Sequence, residues 1–353
     1  FEINSNNSNE AWYVTSAGVF KTSNLHDANP TITNITKNLP FESKLVIKHH
    51  QGHKENRVYL GTSLGVYFID DSLTSWQTFD NNLPNVAVRD IEINVKEAKL
   101  TAATYGRGIF VTNISKSLVN DDVKLSAINS PINNSTNCGA ISPKVTIVNQ
   151  GANTINSINF KYNIDGNTNS VYNWTGTLNS QESITIDIPT IVANKGDHTL
   201  NIEAELNNDS FSSNNKKSVA FKINELNATP TTINTFESSN DDLIVITSGG
   251  NGSDLWQRGA PTKTKLNTLG SGTNAYATSL SGNYTNLTTS ILLTKCYDLT
   301  QITNPIFNFK MAFDIERDWD YLVVEYSTND GNNWNILGSA SDPNWYTSSS
   351  VLN

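Results

Sequence analysis

The chain has 353 residues and a mass of 38.8 kDa, too long for one ordinary core, which predicts two or three domains of roughly 100 to 150 residues. About fifty residues are Asn, Ser and Thr are nearly as abundant, only 16% are charged and Met occurs once; these are poor helix formers, and the Thr, Val, Ile, Tyr and Trp among them suit pleated strands, so an all-β chain is expected. A net charge of −9 leaves no basic stripe for nucleic acid, disfavours anionic membrane surfaces, and accompanies no apolar run near the ~20 residues of a membrane span. Phe1 opens neither a basic n-region nor an apolar h-region, so a signal peptide is expected to lie outside this sequence.

In chain order, the first 115 residues carry a repeat. Val14–Phe20, Gly61–Tyr67 and Ala103–Phe110 are alike, with Gly18, Gly65 and Gly108 spaced by 47 and 43 residues, and a second marker, Asn38-Leu39-Pro40 and Asn82-Leu83-Pro84, recurs at 44. Two independent markers sharing one period, with short strands at Arg57–Gly61, Gly65–Asp70 and Val88–Asn94, predict β-propeller blades, each glycine marking a tight hairpin. The runs "VYLGTSLGVYFIDDSLTSWQTFDNNLPNVAVRDIEI" and "KLTAATYGRGIFV" resemble the closing blades of sortilin-like and oligoxyloglucan-hydrolase-like propellers. About two and a half blades are present, so the resemblance implies earlier blades upstream of Phe1.

Lys116 to Asp122 reads as a short polar hinge. Residues 123–224 then give seven alternating runs (Lys124–Ile128, Lys144–Asn149, Ile155–Ile164, Tyr172–Leu178, Ser183–Ile188, His198–Leu206 and Lys217–Ile223), the count of an immunoglobulin-like sandwich. "CGAISPKVTIVNQGANTINSINFKYNIDG" with "YNWTGTL" resembles the CARDB sandwiches that serve as spacers in bacterial surface proteins. From residue 230 onward, "NTFES", "DLWQRGAP", "NAYATSLSGNY", "SILLTKCYDLT" and "FDIERDWDYLVVEYSTNDGNNW" resemble MAM-like jelly rolls of secreted peptidases and adhesins, one that stops at Asn353 short of its last strands. The expected architecture is therefore partial β-propeller blades (1–116), an immunoglobulin-like β-sandwich (123–224) and a jelly-roll β-sandwich (230–353). The domain order resembles large surface or secreted proteins of Bacteroidota exported by the type IX route, which implies the type IX secretion machinery as a partner. Cys138 and Cys296, far apart and in different expected domains, read as buried free thiols.

Several residues are candidates for chemistry. His49, His50 and His53 form an HHxxH group whose imidazoles could touch one metal, but adjacent strand residues point to opposite faces, and a solvated inter-blade loop is the expected setting. Ser327 to Trp334 fits an Asp-box hairpin in which Asn329 closes the turn, Gly331 takes a positive φ and Trp334 packs beneath, with Asp71, Ser72 and Trp76 as a decayed relative in the propeller. Asp314, Glu316, Asp318 and Asp320 alternate and would share one strand face, either as a calcium-attracting cluster or as a solvated edge. The MAM-like resemblance implies a Ca²⁺ site on Glu237 and Asp320.

Catalysis has little support: HExxH and a Gly-rich phosphate loop followed by a helix are missing, the chain has only the five arginines Arg57, Arg89, Arg107, Arg258 and Arg317, and no catalytic residue is assigned. Asp90 and Glu92, two apart on a strand, read as surface. Among the aromatics, Trp256 and Trp319 are expected in the jelly-roll core, whereas Trp345 and Tyr346, after Pro343, are expected to be exposed and to bind ligand. The expectation is a non-catalytic secreted or cell-surface adhesion protein that presents β modules to glycans or proteins, without nucleic acid or a membrane span. The alternative is an accessory region of a secreted hydrolase whose catalytic part lies upstream.

Overall fold

The computed structural model describes residues 1–79, 83–225, 231, 233–239, 242–250, 255–343 and 345–347. The protein is all-β; a 3-10 turn at Ser212–Asn214 is the one helical element among the described residues. It divides into two compact units, one of residues 1–130, 142–189 and 199–219, the other of 131–141, 190–198 and 220–353.

The first unit opens with three antiparallel sheets. The strands β1 (Glu2–Ile3), β2 (Ala11–Val14), β3 (Val19–Thr22) and β4 (Thr33–Asn34) pair in sequence order, as do β5 (Lys44–His49), β6 (Val58–Thr62), β7 (Gly65–Ile69) and β8 (Gln77–Thr78). The third sheet, β9 (Val88–Asn94), β10 (Lys99–Thr104) and β11 (Gly108–Asn113), has β10 at its centre. The sequence period of about 45 residues is thus one meandering sheet, as in a propeller blade. Each repeat glycine closes a hairpin, with Val14 opposite Val19, Thr62 opposite Gly65 and Thr104 opposite Gly108. In all three, a threonine hydroxyl donates to the glycine carbonyl: Thr15 to Gly18 at 3.5 Å, Thr62 to Gly65 at 3.0 Å and Thr104 to Gly108 at 2.7 Å. The second marker works differently. The Asn38 side chain bonds both the N–H and the carbonyl of Trp76, and Leu39 is buried beside it, while Asn82 of the second copy lies outside the described residues.

Successive sheets stack through shared cores. Trp12, Val19, Ile47, Val58, Leu60, Ile69 and Trp76 form one cluster, and Tyr59, Val66, Val88, Ile91, Leu100 and Ala102 form the next. Strand β6 feeds both, because period-2 alternation sends Val58 and Leu60 to one face and Tyr59 to the other. A wholly buried side chain such as Leu60 stabilises the stack by about 1.5–3 kcal/mol.

The expected polar hinge is instead packed. Ile114, Leu118 and Asp122 are buried, and the backbone is tied on both sides, Lys54 N–H donating to Ser117, Val119 N–H to Gly52 and Ser210 N–H to Asp121. Leu118 supplies the reason: an apolar side chain in a charged stretch draws the connection inward.

All seven predicted sandwich runs are strands, within a residue or two: β12 (Val123–Ser130), β15 (Lys144–Asn149), β16 (Ile155–Ile164), β17 (Ser170–Leu178), β18 (Ser183–Asp187), β20 (Gly196–Glu205) and β21 (Lys216–Asn224). Three further strands, β13 (Thr136–Cys138), β14 (Ala140–Ile141) and β19 (Ile191–Val192), are too short to show a period. One sheet runs β12-β15-β18 and a second β21-β20-β16-β17. Their inward residues are fully buried, among them Val123, Leu125, Val145, Ile147, Ile158, Phe160, Leu200 and Ala204.

In the second unit β13 adds in parallel to β21, with Thr136 opposite Lys222 and Cys138 opposite Asn224, and β14 pairs with β19. The last third contributes β22 (Ile244–Gly249) paired with β25 (Thr288–Leu293), β23 (Trp256–Gly259) with β24 (Ala275–Thr278), and β26 (Glu325–Tyr326) with β27 (Asn335–Ile336). Cys138 and Cys296 are joined as a disulfide, not free thiols. Distance along the chain was the wrong guide: Asn224, opposite Cys138, donates its side-chain amide to the Thr294 carbonyl, and Cys296 N–H donates to Glu225.

Candidate functional sites

The HHxxH histidines end β5 and enter the loop before β6, and all three are buried, which overturns the expected solvated loop. His49 stacks on Trp12 with ring centroids 5.3 Å apart, bonds Asn56 Oδ1 through Nε2 at 2.9 Å and Ser5 Oγ through Nδ1 at 3.3 Å; burial pushes it down to about 4. His50 has no hydrogen-bond partner on either ring nitrogen, and burial, with His53, His49 and Arg57 adding repulsion, pushes it down to about 3. The His53 Nδ1 accepts the Glu55 N–H at 3.1 Å, so the neutral ring carries its proton on Nε2, which has no partner. A metal at that nitrogen would have to remove the proton, so His53 is not a ready ligand. These are core imidazoles held neutral.

The acidic segment does not present one face. Residues 317–319 form a turn and Asp318 has φ +67°, which breaks the strand alternation. Asp314 pairs with Lys265 at 3.0 Å, Asp318 lies 3.8 Å from Arg317, and Asp320 accepts from the Tyr284 hydroxyl. Glu237 is occupied elsewhere: its two oxygens accept from the Thr273 N–H and hydroxyl and from the Asn274 N–H and side-chain amide, at 2.6–3.0 Å. These four bonds, the Thr273 hydroxyl foremost, draw its carboxyl down to about 2. A calcium ion on Glu237 would compete with that set, and among the described residues no group of three or more His, Cys, Asp or Glu side chains is placed to hold a metal.

At the Asp-box sequence the turn lies between β26 and β27. Asn329 Oδ1 accepts from the Asn333 N–H at 3.0 Å, Gly331 has φ +73°, and Trp334 donates from its indole to the Gly331 carbonyl at 3.1 Å while remaining partly exposed. In the propeller relative Asp70, not Asp71, closes the turn, accepting from the Ser72 N–H and hydroxyl, with Trp76 buried and donating to Ile35.

Three of the four aromatics singled out in the last third depart from their expected exposure. Trp345 and Tyr346 are partly buried: the Trp345 indole donates to the Leu337 carbonyl at 2.8 Å, and the Tyr346 hydroxyl accepts the Val324 N–H at 2.9 Å and lies 2.9 Å from the Leu337 carbonyl. They close the loop before them, which a polar flanking sequence could not reveal. Trp256 is half-buried and donates to Ser290, whereas Trp319, expected in the core, is 79% exposed on the 317–319 turn, near Tyr321 in sequence at 63%.

No protein-family model matches the chain and no curated protein matches it. Among solved structures, the extracellular domain of a hybrid two-component system protein from B. thetaiotaomicron is 16% identical with a TM-score of 0.25, over 61% of this chain and 30% of that one. A CARDB domain from Pyrococcus furiosus is 18% identical with a TM-score of 0.25, over 30% of this chain and 97% of that one. A second B. thetaiotaomicron extracellular domain is 11% identical with a TM-score of 0.23, over 60% of this chain and 29% of that one. The chain thus spans under a third of the two B. thetaiotaomicron domains.

Proposed function

We propose that the chain is a non-catalytic extracellular β protein that presents a binding surface to glycans or to other surface proteins. The observation that carries this reading is Trp319, a large aromatic 79% exposed on a turn and flanked by Arg317, Asp318 and Asp320. A flat ring bordered by polar groups suits the apolar face of a sugar ring and its hydroxyls. The Cys138–Cys296 disulfide supports an extracellular location, since such bonds persist in oxidising compartments. No helix among the described residues is long and apolar enough to cross a membrane. Export by a type IX route in a member of the Bacteroidota belongs to the same proposal, as does a Ca²⁺ site at Glu237 and Asp320, which would have to displace the Thr273 and Asn274 donors from Glu237 and the Tyr284 hydroxyl from Asp320; calcium titration of the chain against Glu237→Gln tests the latter.

Native electrophoresis in gels carrying xyloglucan, laminarin or mannan tests the main reading. The wild-type protein is expected to be retarded by at least one polysaccharide and Trp319→Ala to migrate freely with an unchanged melting temperature. Free migration of the wild type in all of them, or equal retardation of the variant, would overturn the glycan assignment.

A further inference from the structure

Residues 303–319 are exposed throughout, and among the described residues the backbone of 305–315 makes no main-chain hydrogen bond. Its sequence nevertheless alternates with the period of a strand: Phe307, Phe309, Met311, Phe313 and Ile315 occupy every second position, with Asn308, Lys310, Ala312 and Asp314 between them, so in an extended pairing they would take opposite faces. An extended segment with open backbone donors and acceptors on both edges and a row of exposed apolar side chains is a template for strand addition.

The charge pattern names what adds. In an antiparallel pairing of this segment with itself, centred on Ala312, Lys310 of each copy stands opposite Asp314 of the other. On the apolar face Phe309 meets Ile315 and Met311 meets Phe313, aromatic and aliphatic cross-strand pairs of the kind that stabilise ladders. A one-residue slip would set Phe309 and Ile315 opposite charged or polar residues and break the Lys310–Asp314 pairs. In the single chain, Lys310 donates to the Gly270 carbonyl at 2.7 Å and Asp314 pairs with Lys265 at 3.0 Å, both at exposed positions, and such contacts exchange for little free energy.

We propose that the chain forms a two-fold symmetric homodimer by antiparallel pairing of residues 309–315, with the axis at Ala312. The ladder would satisfy the unpaired backbone groups along one edge and place two ion pairs symmetrically about the axis.

Sedimentation velocity of the full 353-residue chain over a wide concentration range tests this. The expected result is a reversible species of twice 38.8 kDa. Lys310→Asp puts like charges opposite each other at two places and should weaken the dimer about tenfold, Asp314→Lys should do the same, and the two together should restore wild-type association. Thermal melts of the three variants should match the wild type, as all the substitutions are at the surface. A monomer at every concentration, a dimer indifferent to the single reversals, or a double variant that stays as weak as the singles would each overturn the proposal; rescue of Lys310→Asp by Glu316→Lys instead would overturn this register.

Discussion

Two glycines of the repeat region do opposite work. Gly108 has φ +82° and open space where a Cβ would stand, so only its backbone conformation requires glycine. Gly61 lies in the middle of β6, and a Cβ there would sit 2.6 Å from Val46 Cγ1 and 3.0 Å from the Val88 carbonyl, so the neighbouring strands require it. Alanine should cost about 1–2 kcal/mol at Gly108 and about 1–3 kcal/mol at Gly61. Asparagine separates the causes: it tolerates positive φ and should recover part of the loss at Gly108, while at Gly61 it should be worse than alanine in chemical denaturation. The glycines at 65 and 108 were legible from the repeat; Gly61 was visible only as part of a strand, since what crowds it comes from 15 residues before and 27 after.

Asp122 is a carboxylate whose charged form the fold opposes. Burial raises it to about 7, Asp209 adding repulsion while the Asn214 amide and Lys124 act the other way, and its Oδ2 has no hydrogen-bond partner. The folded state therefore holds this proton more tightly than the unfolded chain does. The sign follows: the contribution is favourable at low pH and is lost as pH rises from about 4 to about 7. Asp122→Asn keeps an oxygen for the Asn214 amide, 3.0 Å away, and cannot ionise. The wild-type urea midpoint should fall more between about pH 5 and about pH 8 than that of the variant; equal falls would mean that Asp122 does not titrate in this window.

Among the elements, the hairpin with its threonine hydroxyl on the glycine carbonyl occurs in all three repeats, and its residues stood side by side in the repeat segments from the start. The parallel addition of β13 to β21 was not legible, because three residues carry no alternation and their partner lies more than 80 positions away. That addition brings Cys138 to Cys296 and so decides the redox chemistry. Closing a loop of 158 residues restricts the unfolded chain, and loss of the bond should cost about 2–5 kcal/mol. Calorimetry with and without reductant should show a transition that moves down, with the Cys138→Ser, Cys296→Ser double variant reproducing the reduced trace; an unmoved transition would mean that the bond is not formed.

For the whole molecule, the all-β class, the repeat of about 45 residues and the seven long strands of the middle region were determined by the sequence itself. These are local and periodic properties, set by strand propensity and by which alternate residues are apolar. The tertiary structure decided what depends on partners distant in the chain: that His49, His50 and His53 are enclosed, that Glu237 is spent on Thr273 and Asn274, that Trp345 and Tyr346 turn inward while Trp319 stands out, and that the two cysteines meet. Burial and hydrogen-bond partnership depend on which segments come together, and a residue's immediate neighbours in sequence do not encode that.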